Sequence, residues 1–477
     1  MKINYIKIVS LASALTVGAC NDFINIDSPT IVRQDLFFQS TSDFTSAVNG
    51  VYSGLRGYYS GFFEVAEIPS DNTEANGYTL GFNPMDLLTW VPSTAAIQSR
   101  WTSSYSIIAR ANLVLARIEG FQMDETLKRQ YIGETSFIRA LIYFNLVQFY
   151  GDVPLVLTEI KSESEAYAYG RAPVSEVYAQ IEADLKTAID FLPATYDAAN
   201  RGRATKGAAR SLLGKVYVTS KQFDKARDIL KEVIDSQQYR LLDDYAEIFS
   251  VNNRHNEEIV FAVQYNGGTG YGEGSNFSIA FAPFGSGEAV TSGGMPASNN
   301  SGTLDLYEAF EENDARKPVS IDLWTDSDMY YTRKFLDRPI APNEGKNNWI
   351  VLRYADVILL YAEALNETGN TSEALTYLNM IRDRADLLPL SNLNQNEFRS
   401  AVLQERRVEL CFEGHRWFDL IRTGTMLSTM RAYKEKYTDT RAHQVVNYEV
   451  TDNKVLFPIP FREISLNPEL TQNPGYN

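Results

Sequence analysis

Two segments of this chain carry the same spacing of small and large residues, and that spacing restricts the fold more than any other feature. In residues 207–234, Gly214 is followed by Ala226 at +12, Leu230 at +16 and Val233 at +19. In residues 357–382, Ala362 is followed by Ala374, Leu378 and Ile381 at the same three offsets. This is tetratricopeptide spacing. A small residue at the crossing lets two antiparallel helices approach, and the larger ones fill the groove between them. Two copies are too few for a free-standing solenoid, because each repeat buries its face on neighbours. Other helical segments must therefore supply degenerate repeats.

Periodicity locates those segments. Helix dominates from about Trp101 to Ser236, where Phe137, Leu141, Phe144 and Val147 mark one helical face and Gly151 with Pro154 ends it. Tyr178, Ile181, Leu185, Ile189 and Leu192 mark another helix, stopped by Pro193. Helix resumes over 354–423. Two stretches lack any helical period. Residues 57–92 are dense in Tyr, Phe, Gly and Pro and read as loop. Residues 250–345 hold a short strand at 260–264, then a Gly-, Ser- and Asn-rich run with Tyr271, Phe277, Phe281 and Phe284. An insert of that length inside a compact protein is usually functional. A further strand is expected at 454–459, followed by Pro-punctuated coil. Residues 46–477 are thus expected to form a single domain, mainly α, of paired helices with loop-rich inserts at 57–92 and 250–345.

The N-terminus reads as an address. Lys2 and Lys7 precede a ten-residue apolar stretch over 8–17, too short to span a bilayer. Residues 1–19 then form a secretory signal peptide, with small residues at Gly18 and Ala19. Cys20 follows directly, and the run Val17-Gly18-Ala19-Cys20 resembles the lipobox of bacterial lipoproteins; the alternative is an ordinary signal peptide with a chance cysteine. The resemblance implies acylation of Cys20, a polar tether over 20–45, and anchoring by several acyl chains, which hold durably where one would not. Cys411 is then the one free thiol, which excludes an intrachain disulfide.

Charge and composition exclude other classes. With 44 basic and 60 acidic residues the formal net charge is −16, which argues against a general nucleic-acid binder. Three His and two Cys leave little room for zinc. There is no His-Glu-x-x-His, P-loop or Gly-x-Ser-x-Gly elbow, so no metal or cofactor is expected beyond an incidental calcium. The segment 405–420 looks most like chemistry, since Glu405, Glu409, Glu413, His415 and Asp419 lie close together. A glycosidase needs two carboxylates about 5–9.5 Å apart across a cleft. The competing reading is a helical pair with a charge network beside Phe412, Trp417 and Phe418, broken at Gly414; it is preferred, and His415 then serves as a structural histidine.

Four segments resemble the SusD/RagB family of surface glycan-binding lipoproteins of Bacteroidetes: 139–155 (RALIYFNLVQFYGDVPL), 352–367 (LRYADVILLYAEALNE), 405–420 (ERRVELCFEGHRWFDL) and 457–476 (FPIPFREISLNPELTQNPGY). They occur in the family's order and reach from one end of the chain to the other. The resemblance implies a non-catalytic, mainly helical protein of about four tetratricopeptide-like helix pairs, with a loop-rich remainder that carries the ligand site. It also implies an outer-membrane, cell-surface location and a SusC-like TonB-dependent transporter as partner.

The aromatic loops are then the functional lead. With 28 Tyr, 25 Phe and five Trp, some rings must lie at a surface. A Trp or Tyr ring packs on the apolar face of a sugar, while Asp, Asn or Arg takes its hydroxyls. Asp71, Asn72, Tyr78, Phe82 and Trp90 offer this mixture in the first insert, and Trp324, Tyr330, Tyr331, Arg333 and Trp349 in the second. Trp90 and Trp324 are expected as stacking platforms, Asp71, Asn72 and Arg333 as polar partners, and Tyr78 as a further contact. Trp101 and Trp417 are expected in the core. The expected function is capture of an oligo- or polysaccharide, against the alternatives of a peptide or glycoprotein-derived cargo and of a lipid-anchored hydrolase.

Overall fold

The structure is a computed structural model that describes residues 37–76, 83–437 and 449–476. The chain divides into two compact units, 1–45 and 46–477. In the first, the Asp43 carboxylate accepts from the Ser40 amide at 2.8 Å, opening a helix inside the stretch expected to be tether. Cys20 lies outside the described residues.

The helices of the long unit follow the sequence closely. Among the described residues those of eight residues or more are α1 (Thr41–Ser60, which begins in the first unit), α2 (Ala95–Ile118), α3 (Glu125–Tyr150), α4 (Val174–Phe191), α5 (Lys206–Thr219), α6 (Phe223–Asp235), α7 (Tyr354–Glu367), α8 (Thr371–Arg384), α9 (Gln395–Glu409), α10 (Arg416–Thr423) and α11 (Met426–Tyr437). Asp124 caps α3 by accepting from the Leu127 amide, and Gly151, at φ 71°, ends it. Helix α3 is buried on every side from Tyr131 onward, so its marked face understates its burial.

From α2 to α9 consecutive helices pack on one another, and α6 packs on α7 although the whole second insert separates them in sequence. The insert is therefore looped out of a continuous helical layer. The repeat spacing explains both flanking pairs. Ala226, Leu230 and Val233 of α6, like Ala374, Leu378 and Ile381 of α8, are buried against the preceding helix. A Cβ on Gly214 would collide with Leu230, which is why α5 has glycine there.

The inserts hold more regular structure than their composition indicates. Helix α1 runs to Ser60, and a further turn of helix spans Phe63–Ala66, inside the stretch read as loop. Strand β1 (Thr73–Glu74) follows. The second insert contains β2 (Ile259–Val263), β3 (Ser301–Gly302), β4 (Ile321–Trp324) and β5 (Met329–Thr332), and β6 (Trp349–Arg353) leads into α7. Strands β2 and β6 pair antiparallel, while the others form one antiparallel sheet in the order β1-β3-β5-β4. Strands β4 and β5 are a hairpin whose turn ends on Asp328 at φ 53°.

The strand expected at 454–459 is absent. Residues Asp452–Val455 form a short 3-10 helix, and the extended run after it joins no ladder. Pro458 and Pro460 have no N–H to give, and the Phe457 amide donates to the Phe149 carbonyl at the end of α3, at 2.7 Å.

Candidate functional site

The carboxylates of 405–420 are sealed in ion pairs. Arg353 Nε donates to Glu413 Oε2 at 2.7 Å and its Nη1 reaches Glu258 at 2.9 Å; Lys334 Nζ lies 2.7 Å from Glu413. Arg316 bridges Asp314 and Glu409 with no exposure of its own. Burial alone would push the Glu409 carboxyl up, but Arg384, Arg353 and Arg316 hold it well below the usual carboxylate range. His415 is buried, with Nδ1 2.7 Å from Lys215 Nζ; burial and Lys215 lower its pKa to about 3. Gly414, at φ 82°, breaks the chain between α9 and α10 where a side chain would meet Phe62 and Trp349. These groups tie the helices to the strands and loops around them, and each carboxylate is engaged by an arginine or lysine.

The two inserts meet. Strand β1 of the first pairs with β3 of the second, the Thr303 amide donates to the Asn72 carbonyl at 3.0 Å, and the Asn76 amide donates to the Ser298 carbonyl at 3.1 Å. That junction places the expected polar partners of the first insert inside the protein. Asp71, 1 % exposed, is held by Arg416 and Arg407. Asn72 Oδ1 accepts from Arg407 Nε at 2.8 Å, with the whole residue buried. Trp90 is also core rather than platform. It is 1 % exposed, its Nε1–H donates to the Tyr476 hydroxyl at 2.7 Å, and its ring lies edge-on to Trp417 and Phe457. Trp349 is buried as well, among Phe277, Phe335 and Tyr59. Trp101 and Trp417 are core, as their helical positions indicate. Tyr78 and Phe82 lie outside the described residues.

The second insert keeps Trp324, Tyr330 and Arg333 at or near the surface, on and just after the β4–β5 hairpin, whereas Tyr331 is buried. Alternation puts Asp322 and Trp324 on one face of β4, opposite Tyr331 and Met329 of β5. Trp324 is partly exposed, with one side packed on a cluster of Ala282, Val290 and Tyr331. Beside it Arg333, exposed, pairs with Asp322 at 3.4 Å, and the Tyr331 hydroxyl donates to the same carboxylate. The loop carrying Phe284, 43 % exposed, is tied to this hairpin: the Phe284 amide donates to Ser298 Oγ, which contacts Met329 Sδ at 3.4 Å. On the opposite face Tyr330 lies tilted against Tyr307, ring centres 4.7 Å apart, and Lys317 Nζ sits 3.6 Å from the Tyr307 ring centre. Sequence reasoning missed Tyr307, which sits in the six-residue helix Leu304–Ala309, too short to show a period. The arrangement offers a ring face, a carboxylate and a guanidinium side by side, the set a sugar ring requires.

Among the described residues no cluster of three His, Cys, Asp or Glu side chains could hold a metal ion, and no helix is long and apolar enough to cross a membrane.

Comparison with known proteins agrees with this architecture. The family model described as "SusD family" matches residues 320–476, and the one described as "Starch-binding associating with outer membrane" matches residues 26–218. SusD-like protein P2 of Formosa agariphila is 28 % identical across 98 % of this chain and 99 % of its own length. The starch-binding protein SusD of Bacteroides thetaiotaomicron is 24 % identical across 92 % of this chain and 89 % of its own. The solved structure of a laminarin-binding SusD-like protein superposes with a TM-score of 0.78 at 29 % identity, covering 92 % of this chain and 100 % of that one. The chain belongs to the SusD/RagB family.

Proposed function

We propose that this protein captures an oligo- or polysaccharide at the cell surface and hands it to a TonB-dependent outer-membrane transporter without cleaving it. Acyl chains on Cys20 hold it to the outer membrane. The observation that carries the reading is the β4–β5 hairpin, where the partly buried Trp324 stands beside the Asp322–Arg333 pair at the edge of the sheet uniting both inserts. The names of relatives that bind starch and laminarin support the ligand class. Stacking plus a few exposed hydrogen bonds gives about −4 to −8 kcal/mol, a millimolar to micromolar affinity.

Affinity electrophoresis through a panel of neutral polysaccharides, with laminarin and starch first, tests binding. Retardation by at least one, weakened by Trp324→Ala, is expected; no retardation by any would overturn the reading. Reducing ends released by the purified protein would replace capture with hydrolysis. Co-purification of the membrane-extracted protein with a β-barrel transporter tests the partnership.

A further inference from the structure

A polar cleft of about 490 Å³, lined by no residue of the hairpin, lies between α1, the loop before α5 and the end of β2. Its walls carry three arginines, Arg56, Arg201 and Arg203, on a chain whose net charge is −16.

The three are not equally committed. Arg203 spends its guanidinium on the protein, donating to Asn200 Oδ1 at 3.2 Å, to the buried Glu134 at 2.7 Å and to Asn49 Oδ1 at 2.6 Å. Arg56 donates through Nη2 to Ser53 and to Glu273, 3.0 Å away, in a pair whose side chains stay 30 % and 40 % exposed. An exposed pair of that kind contributes little and opens readily. Arg201 is exposed and, among the described residues, has no hydrogen-bond or ion-pair partner. Arg201 also reaches His255: partial burial first, and then Arg254 and Arg201, pull that imidazole below its usual pKa. Asn49, Asn200 and Gln264 line the cleft as well, each already bonded within the protein: Asn49 and Asn200 accept from Arg203, and Gln264 donates to the Ala262 carbonyl and accepts from Asn348.

We infer that this cleft is a second saccharide subsite, and that it takes the anionic group of a charged polysaccharide between Arg56 and Arg201. A carboxylate or sulfate accepts two N–H bonds from a guanidinium, which a neutral hydroxyl cannot match. The anion displaces Glu273 from Arg56 and supplies Arg201 with the acceptor it lacks. The ligand class rests on the glycan-capture reading; the anion site does not depend on Trp324.

The test is affinity electrophoresis at low salt in four gels: polygalacturonate, fully methyl-esterified pectin, dextran sulfate and dextran. Each charged polymer is thus run beside a neutral counterpart, and the two pairs separate carboxylate from sulfate recognition. The expected result is retardation by at least one charged polymer at five-fold or more below the concentration its neutral counterpart needs. Arg56→Gln/Arg201→Gln should abolish the difference, 0.5 M salt should suppress it, and Trp324→Ala should leave it. Glu273→Gln, which removes the competing carboxylate without touching an arginine, should strengthen it. Equal retardation in charged and neutral gels, or a charge preference that survives the double variant, overturns the inference. A protein that binds neutral glycan through Trp324 and shows no charge preference would refute the cleft and leave the hairpin standing.

Discussion

Asp71 and Arg416, 345 residues apart in the chain, are joined by two parallel hydrogen bonds of 2.8 Å each, and Arg407 closes on the same carboxylate at 3.0 Å. Burial alone would raise the Asp71 pKa, but Arg407 and Arg416 bring it down to about 2 from an ordinary 3.8. A carboxyl with a lowered folded pKa contributes stability above its unfolded value and loses it as pH falls through the folded one. The shift is worth about 2 kcal/mol. That contribution should be intact above pH 3.8 and fade as pH approaches 2. Asp71→Asn should cost about 3 kcal/mol at pH 7, because the nearly buried Arg416 loses its counter-ion and Arg407 is left with Asp305 alone. Urea denaturation at pH 7 decides: a variant as stable as the parent would show the pair to be idle.

Glu67 has the opposite sign. Burial raises its pKa to about 8, against the lowering effects of the Gly414 amide, which donates to Oε1, and of Lys334. Its folded pKa lies above the unfolded 4.5, so its contribution is complete below pH 4.5 and declines as pH rises through about 8. Glu67→Gln keeps an acceptor for Gly414 and cannot ionise. It should match the parent near pH 5 and exceed it in melting temperature near pH 9. Parallel melting curves for the two proteins across that interval would show that Glu67 does not govern the alkaline arm.

The helical layer was legible because its information is local. The offsets from Gly214 and Ala362 are fixed by the geometry of a single helix pair, and the structure keeps both. The second insert was less so, because β4 and β5 have four residues each and strands that short show too little alternation to separate them from loop. The first insert misled for a different reason. Trp90 reads as an aromatic in a loop, and what buries it is Phe457 and Tyr476, more than 360 residues away. Asp71 and Asn72 read as polar partners for a ligand, yet the groups they serve are Arg407 and Arg416. Those arginines belong to the segment in which an ion-pair network was expected, so the network was foreseen and its reach across the chain was not.

The repeat spacing makes its own prediction. Alanine is favoured over glycine in a helix by about 1 kcal/mol, yet a Cβ on Gly214 would run into Leu230. Gly214→Ala should therefore destabilise by about 1–3 kcal/mol through overpacking. Adding Leu230→Ala should relieve the clash, leaving the double variant more stable than the sum of the singles. Gly57 in α1 has nothing within 4 Å of its Cβ position. There alanine should stabilise by about 0.5–1 kcal/mol. Double-mutant cycles by chemical denaturation check both, and an additive Gly214–Leu230 pair would disprove the contact.

Trp90 and Trp324 separate stability from binding. Removing Trp90 empties a site bounded by Trp417 and Phe457 and leaves the Tyr476 hydroxyl without its donor, so Trp90→Ala should cost about 3–5 kcal/mol. Trp324 is partly buried, packs on one side only and carries no such partner in the core. Trp324→Ala should cost under about 1 kcal/mol in stability, while the loss of a stacking face worth about 1–1.5 kcal/mol should weaken glycan binding about five- to ten-fold. Arg333→Ala should weaken binding less, because the guanidinium is exposed and held only by Asp322 at 3.4 Å. Calorimetric titration beside thermal melts of the three variants resolves the two effects. Intact glycan affinity in a folded Trp324→Ala protein would remove the hairpin from the binding site, whatever Trp90 does to the melting temperature.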